Sequence, residues 1–294
     1  MSQLDVDSRN RRFWDELCGS GLARHLGITS DDPGSLLRFD AEYFKIYPYL
    51  EQYAPANELR GKKVLEIGLG YGTMGQFLAE KGCDYHGLDI AEGPVRMMRY
   101  RLGMLGVERP ETKVQQGSAL EIPHDDASLD YLYSIGCLHH TGNLQRSIDE
   151  VLRVLKPGGT AMIMLYNANS FRRIVKTPLV GAYTLFRSGP RSWISKWREK
   201  ERAMYDANAA GEAAPHIDYT SIRGARRIFK QFESIQIDKQ NADPFTWPRY
   251  VPRERLLDNL GRWLGLDLYI TAVKPKSAVT NERRSNTVST ARAA

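Results

Sequence analysis

From Lys63 onward, short apolar runs alternate with segments whose apolar residues recur every three or four positions. The first pattern predicts strands and the second predicts helices with one buried face. Strands are expected over Lys63–Ile67, Asp84–Ile90, Thr112–Gln116 and Leu129–Ile135, with helices over Met74–Lys81 and Pro94–Leu105. Proline near the start of the second helix is harmless, because a first-turn N–H has no intrahelical partner. Between Asn143 and Leu155, the residues Leu144, Ile148, Val151, Leu152 and Leu155 mark one buried helical face, which Lys156-Pro157-Gly158-Gly159 ends. Thr160–Leu165 then reads as a fully buried strand. Such alternation argues for a parallel sheet with helices on both faces, and right-handed crossovers place a ligand at the carboxyl ends of its central strands.

Outside this region the pattern changes. Residues 1–60 read as a helical, aromatic segment, in which Tyr43, Tyr47, Leu50 and Tyr53 fall on a helical spacing. That spacing suits core packing as well as a cap over a ligand. After Asn167 comes a basic, aromatic-rich insertion, followed by a helix over Ser221–Phe232 with Asp218 or Thr220 as its cap. Strands are expected at Ser234–Asp238 and Leu266–Val273. Between those two strands lies a proline-rich connection, 243–254, leading into an amphipathic helix that carries Leu256, Leu257, Leu260, Trp263 and Leu264.

Composition narrows the setting. The 294 residues are 42% hydrophobic, enough for one large core. No run approaches the ~18 apolar residues of a membrane span, and the N-terminus lacks the features of a secretory signal. Cys18, Cys83 and Cys137 are scattered and form neither a disulfide framework nor a zinc pattern, so the expected setting is cytoplasmic and no metal is expected. The net charge of +6 is uneven: nine Lys or Arg face Glu199 and Glu201 between Phe171 and Arg202. The basic tail 276–294 is expected to be disordered.

Two glycine readings overlap after the first strand. Gly70, Gly72 and Gly75 spell the dinucleotide fingerprint, whereas Gly68, Gly70 and Gly72 spell G-x-G-x-G. A phosphate turn should begin where the strand ends, at Gly68, and counted from there the dinucleotide pattern fails at Thr73. Glu66, one residue before the strand's end, suits a cationic or zwitterionic ligand better than a pyrophosphate. Asp89, 21 residues after Gly68, can grip ribose hydroxyls under either reading.

The order and spacing of four segments, VLEIGLGYG (64–72), HGLDI (86–90), QGSALEIPHDDASLDYLYSIGCLHH (116–140) and VLRVLKPGGTAMIMLYN (151–167), separate the two readings. Over about residues 60–170 the chain resembles the class I S-adenosylmethionine-dependent methyltransferases, in the type 11 or UbiE-like group. The resemblance implies an α/β, Rossmann-like doubly wound sheet of seven strands with the last one antiparallel. It also implies a domain over 61–275, preceded by a helical cap (1–60) and carrying a helical insertion or lid within 168–232. The cofactor would be S-adenosylmethionine, leaving as S-adenosylhomocysteine. The backbone of Glu66, Gly68, Gly70 and Gly72 would cradle its methionine end, and Asp89 would bind the ribose. Ile90 would pack on the adenine, with Ser118 and Ala119 beside its amino edge. Ser134, Ile135 and Gly136 would floor the site near the sulfonium. Where many relatives have Gly-Asp-Ala, this chain has Gly117-Ser118-Ala119, so the adenine contact would be uncharged.

Methyl transfer is an in-line displacement that depends mainly on alignment, and a base is needed only for an acceptor whose proton must leave. His139 and His140 are the candidate bases, although adjacent residues point apart and can simply close the pocket. Tyr166 and Asn167 end the fifth strand on the ligand side, with a capping role as the alternative for Asn167. Residues 204–221 carry Tyr205, Asp206, His216 and Tyr219 in a loop able to contact an acceptor or to serve as a surface linker; Tyr43 and Tyr47 complete the candidates. A small-molecule or lipid-like acceptor, methylated at O, N or C, is the leading expectation. The insertion's mix of apolar residues and cations suits a lid, or a helix on an anionic membrane. A nucleic-acid enzyme is the alternative class, but Ser134-Ile135-Gly136-Cys137 replaces the motif that grips a flipped base, and no RNA-binding module is present. A non-catalytic cofactor-binding protein is the third class.

Overall fold

A computed structural model describes residues 2–16, 20–188, 193–242 and 256–276. Cys18, the proline-rich connection 243–254 and residues 277–294 of the basic tail lie outside the described residues. The order of elements is α1 (Gln3–Trp14), α2 (Ser20–His25), α3 (Pro33–Ile46), α4 (Ala56–Leu59), β1 (Lys63–Ile67), α5 (Thr73–Glu80), β2 (Asp84–Asp89), α6 (Glu92–Met104), α7 (Pro110–Lys113), β3 (Val114–Gln116), β4 (Leu129–Ile135), α8 (Leu144–Val154), β5 (Leu155–Tyr166), α9 (Thr177–Ser188), α10 (Trp193–Ala203), α11 (Ile222–Ile228), β6 (Ser234–Gln240) and β7 (Asp267–Val273).

The strands form one seven-stranded sheet in the order β3-β2-β1-β4-β5-β7-β6. β1 to β5 pair in parallel, and β7 runs antiparallel to both β5 and β6. The pleat divides the core. Leu65, Ile67, Ile163, Leu268 and Ile270 pack with Ile148 and Val151 of α8 on one face, while Val64, Met162 and Tyr269 pack with Leu78, Met98 and Leu50 on the other. The strand order reverses between β1 and β4, which is where an open α/β sheet leaves a crevice.

Several boundaries differ from expectation for local reasons. Pro110 opens a helical turn through Lys113, so the third strand shrinks to three residues. Lys156–Gly159 does not simply end α8. Leu155 already pairs with Leu129, and the ladder resumes at Thr160 opposite Tyr131, so the intervening residues bulge out. Ser221, not Asp218 or Thr220, caps α11 through its side chain and the Gly224 N–H, while Thr220 N donates to Tyr166 O. The expected amphipathic helix is a π-helical turn, Leu257–Gly261, followed by a single turn through Leu264. Trp263 is 77% exposed there and packs no core.

Candidate active site

The site starts at the end of β1. Gly68 N donates to Leu88 O at 2.9 Å, and its φ of +85° is a conformation that favours glycine. A Cβ at Gly68 would overlap the Cys137 side chain on the neighbouring strand's exit. Gly75, the residue that made the dinucleotide reading possible, has a different reason to be glycine. A Cβ on it would stand 2.5 Å from Glu66 Oε2 and Tyr85 Oη and 2.6 Å from Met98 Sδ. It lets α5 close onto the sheet.

A cavity of about 370 Å³ opens over these strand ends. Glu66, Gly68, Gly70, Asp89, Ile90, Ser118, Ala119, Ile135 and Gly136 all line it, drawn together from four separate βα crossings. Two expected members do not. Gly72, at φ +76°, backs onto Arg101, and Ser134 is fully buried with its Oγ donating to Ile67 O at 3.0 Å. Both brace the loop from behind.

The two acids of this wall sit in different fields. Asp89 accepts from Leu69 N at 2.8 Å and Ala91 N at 2.9 Å, yet burial pushes its carboxyl up to about 6. Glu66 receives the Tyr85 hydroxyl at 2.5 Å, but burial, with Asp89 nearby, pushes it up to about 8. Ser118 Oγ accepts from Leu120 N at 3.2 Å.

An ion pair holds the glycine loop against the roof. Arg101, fully buried, donates through Nε to Tyr71 O at 2.7 Å, through Nη1 to Asp40 Oδ2 at 2.8 Å and Gln76 Oε1 at 2.7 Å, and through Nη2 to Asp40 Oδ1 at 3.0 Å. Thr73 Oγ1 donates to the same Asp40 oxygen at 2.6 Å. The clamp fixes α3 above the loop, where Tyr43 and Tyr47, 5.0 Å apart between ring centroids, line the cavity. Sequence reasoning missed this ion pair; only the polar Asp40 and Arg101 on otherwise amphipathic helices hinted at it.

The opposite wall brings a different set together. Tyr166 at the end of β5 donates its hydroxyl to Asp206 Oδ2 at 2.9 Å. His140 Nε2 lies 3.5 Å from the same oxygen, and His140 Nδ1 lies 2.7 Å from the His216 carbonyl. A carbonyl only accepts, so Nδ1 carries the hydrogen and the neutral ring's lone pair is on Nε2. Burial lowers the His140 pKa despite Asp206, and burial raises that of Asp206. The turn is pinned from three sides: Asn10 Nδ2 donates to His140 O at 2.8 Å, Gln3 Nε2 to Thr141 O at 2.7 Å, and Asp218 N to His139 O at 2.8 Å.

Of the remaining candidates, Tyr205 lines the cavity, whereas His139, Asn167, His216 and Tyr219 do not. His139 is fully buried behind Tyr166, 4.1 Å between ring centroids, and burial drives its pKa well down. Asn167 donates to Gly265 O and accepts from Asn169 N, which makes it a turn residue. His216 serves through its main-chain carbonyl, and Tyr219 lies behind Tyr205 with the Arg173 guanidinium 3.9 Å from its ring. Asn10 and Trp14 of α1, Arg172, Asp206 and Asp267 also line the cavity. Asp206 stood within the loop singled out from sequence; the α1 residues carried no motif.

A family model described as a methyltransferase domain, of the type 11 group, matches residues 65–163. The fatty-acid O-methyltransferase of Mycolicibacterium smegmatis is 26% identical over 238 residues, 80% of this chain and 74% of that one. The phthiotriol/phenolphthiotriol dimycocerosates methyltransferase of Mycobacterium tuberculosis is 31% identical over 158 residues, covering 50% of this chain and 57% of its own. Among solved structures, a chain from the Haloferax volcanii complex of the Trm112 methyltransferase activator with a methyltransferase superposes at a TM-score of 0.53, with 18% identity over 83% of this chain and 96% of that one. The nucleic-acid and non-catalytic alternatives gain nothing from these matches. With the reversed β7 and the glycine loop, they establish that the chain carries a class I methyltransferase domain of the type 11 group, with S-adenosylmethionine as its cofactor.

Proposed function

We propose that the chain methylates an oxygen of a lipid-like acceptor, with His140 receiving the acceptor's proton. The observation that carries this reading is the wall formed by His140, Asp206 and Tyr166, facing the glycine loop across one cavity. The relatives that act on a fatty acid and on phthiotriol lipids supply the substrate class.

The buried Asp89 carboxylate and the glycine loop fit the cofactor's ribose and methionine ends, and Glu66 fits its ammonium. When bound, S-adenosylmethionine supplies an electrophilic methyl group on a sulfonium that departs as a neutral thioether. The chain's own residues do the rest. Tyr43, Tyr47 and Trp14 cover the cavity and keep water from competing. His140 presents a lone pair on Nε2, fixed by the Nδ1 bond to His216 O. Once His140 is protonated, Asp206 stands 3.5 Å away to stabilise the imidazolium, with Tyr166 holding the carboxylate in place. A positioned base of this kind supplies about 10²–10⁴-fold. It matters for a hydroxyl and is idle for a carboxylate, so a hydroxyl is the favoured oxygen.

The test is release of S-adenosylhomocysteine on addition of long-chain alcohols and long-chain fatty acids, with cofactor binding measured separately by calorimetry. Turnover on the alcohol, lost in His140→Ala while cofactor affinity stays, supports the reading. Turnover on the fatty acid alone, unaffected by His140→Ala, overturns the base assignment, and NAD binding in place of S-adenosylmethionine overturns the whole.

A further inference from the structure

Among the described residues no helix is long and apolar enough to cross a membrane, yet one element exposes an apolar face. The π-helical turn Arg172–Lys176 and α9 present Val175, Leu179, Tyr183 and Phe186 to solvent at 40%, 67%, 56% and 91%. Their spacing, four, four and three residues, makes one helical stripe. The opposite face of α9 is already used: Trp197 Nε1 donates to Thr177 O at 3.2 Å, and a Cβ on Gly181 would meet the Trp197 indole at 3.0 Å. The stripe is therefore a second apolar face, turned away from the core.

Two further features say what covers it. The segment 171–202 carries nine basic residues against two acidic ones, Lys196, Arg198 and Lys200 of α10 are exposed, and Lys200 Nζ lies 5.6 Å from the ring of Tyr183 in the stripe. Two copies meeting face to face would bring these like charges together, whereas an anionic surface would neutralise them. The stripe also grows out of the acceptor wall: Arg172 at its start, and Tyr205 and Asp206 just after α10, line the cavity.

We propose that α9 and α10 seat on an anionic lipid bilayer, with Leu179 and Phe186 in the acyl boundary and the α10 cations among the headgroups. An acceptor with a long apolar tail then reaches the cavity along the stripe without crossing water. This inference rests on the lipid-like acceptor proposed above.

The experiment is co-sedimentation of the full chain with phosphatidylcholine vesicles, with and without phosphatidylglycerol, alongside turnover on detergent-dispersed alcohol. Binding should require phosphatidylglycerol and weaken in high salt. Lys196→Glu with Arg198→Glu should weaken it by about fivefold or more per residue. Leu179→Ser with Phe186→Ser should weaken it about tenfold or more, since both lose buried apolar area. Calorimetric affinity for S-adenosylmethionine, unchanged in both pairs, shows that they are folded. Equal binding to both vesicle types, indifference to the substitutions, or a dimer in sedimentation that Phe186→Ser abolishes would each overturn the proposal. Vesicle binding without turnover would instead sink the function and leave the docking surface standing.

Discussion

The two walls of the cavity are built from opposite kinds of sequence. The wall proposed to hold the cofactor comes from residues 66–70, 89–90, 117–119 and 135–136, each at a strand end with glycine close by. The wall proposed to face the acceptor is assembled from α1, the turn at 138–141, the end of β5, and residues on either side of the α9–α10 pair. The first wall depends on backbone shape, and the second on side chains that meet only after the chain has folded. A backbone-shaped wall suits a ligand that is always the same, and a side-chain wall can be rebuilt for a new one.

Breaking the clamp beneath the first wall should have the largest effect. Asp40→Ala leaves Arg101 buried without its carboxylate and should cost about 3–5 kcal/mol, a fall of about 10 °C in melting temperature. A melting temperature within a degree or two of wild type would mean that Asp40 is not what holds the loop.

On the acceptor side, His140→Ala should lower kcat on an alcohol by about 10²-fold or more with little change in cofactor affinity. Because burial lowers the His140 pKa, the neutral base persists below the ordinary histidine range. The acid limb of the wild-type pH profile should therefore lie below pH 6.5 and vanish in the variant. An acid limb retained by His140→Ala would assign the proton elsewhere.

Asp89→Ala should weaken S-adenosylmethionine binding by about 10²-fold, the loss of charge-assisted bonds to two hydroxyls. Isothermal titration reads it directly, and an unchanged Kd would move the ribose to another site.

Tyr166→Phe removes only the hydroxyl that holds Asp206 and should lower kcat by about tenfold. A loss as large as that of His140→Ala would show that Tyr166 is itself the proton acceptor.

The gentlest probe is Glu66→Gln. The folded value of Glu66, about 8, lies above its ordinary 4.5, so its protonated form contributes stability below the lower value. That stability is lost as pH rises through the higher one. Melting curves between about pH 5 and about pH 9 should therefore slope downward for wild type more than for Glu66→Gln. Parallel slopes would mean that Glu66 titrates normally.

What could be read in the sequence follows the same division. Alternating runs such as Leu129–Ile135 report strands because the pleat forces every second side chain into one core, and the seven strands with the last one reversed were implied by the resemblance. Gly68 and Asp89 could be read because a sharp turn and a strand-end carboxylate leave local signatures. Asp206 could be read only as one polar residue of a loop, and Asn10 carried no signal, because their importance lies in partners 66 and 130 residues away. His140 was visible only as one of a pair, and burial of both rings, with only one reaching the cavity, separates them. Asp40 and Arg101, which stabilise the site from behind, carried no motif because their pairing spans 61 residues.

The reversal of β7 has a consequence for divergence. Parallel strands offer the cavity the residues with which they end, but β7 offers those with which it begins, Asp267 and, two positions on, Tyr269. The connection leading into it touches the cavity at its two described ends, Asn241 and Leu266, neither of which pairs in the ladder between β5 and β7. Exchanges at these two ends fall outside the paired residues of all seven strands. A lineage changing its acceptor could rewrite that connection while the sheet, and the cofactor wall at its far side, stayed as they were.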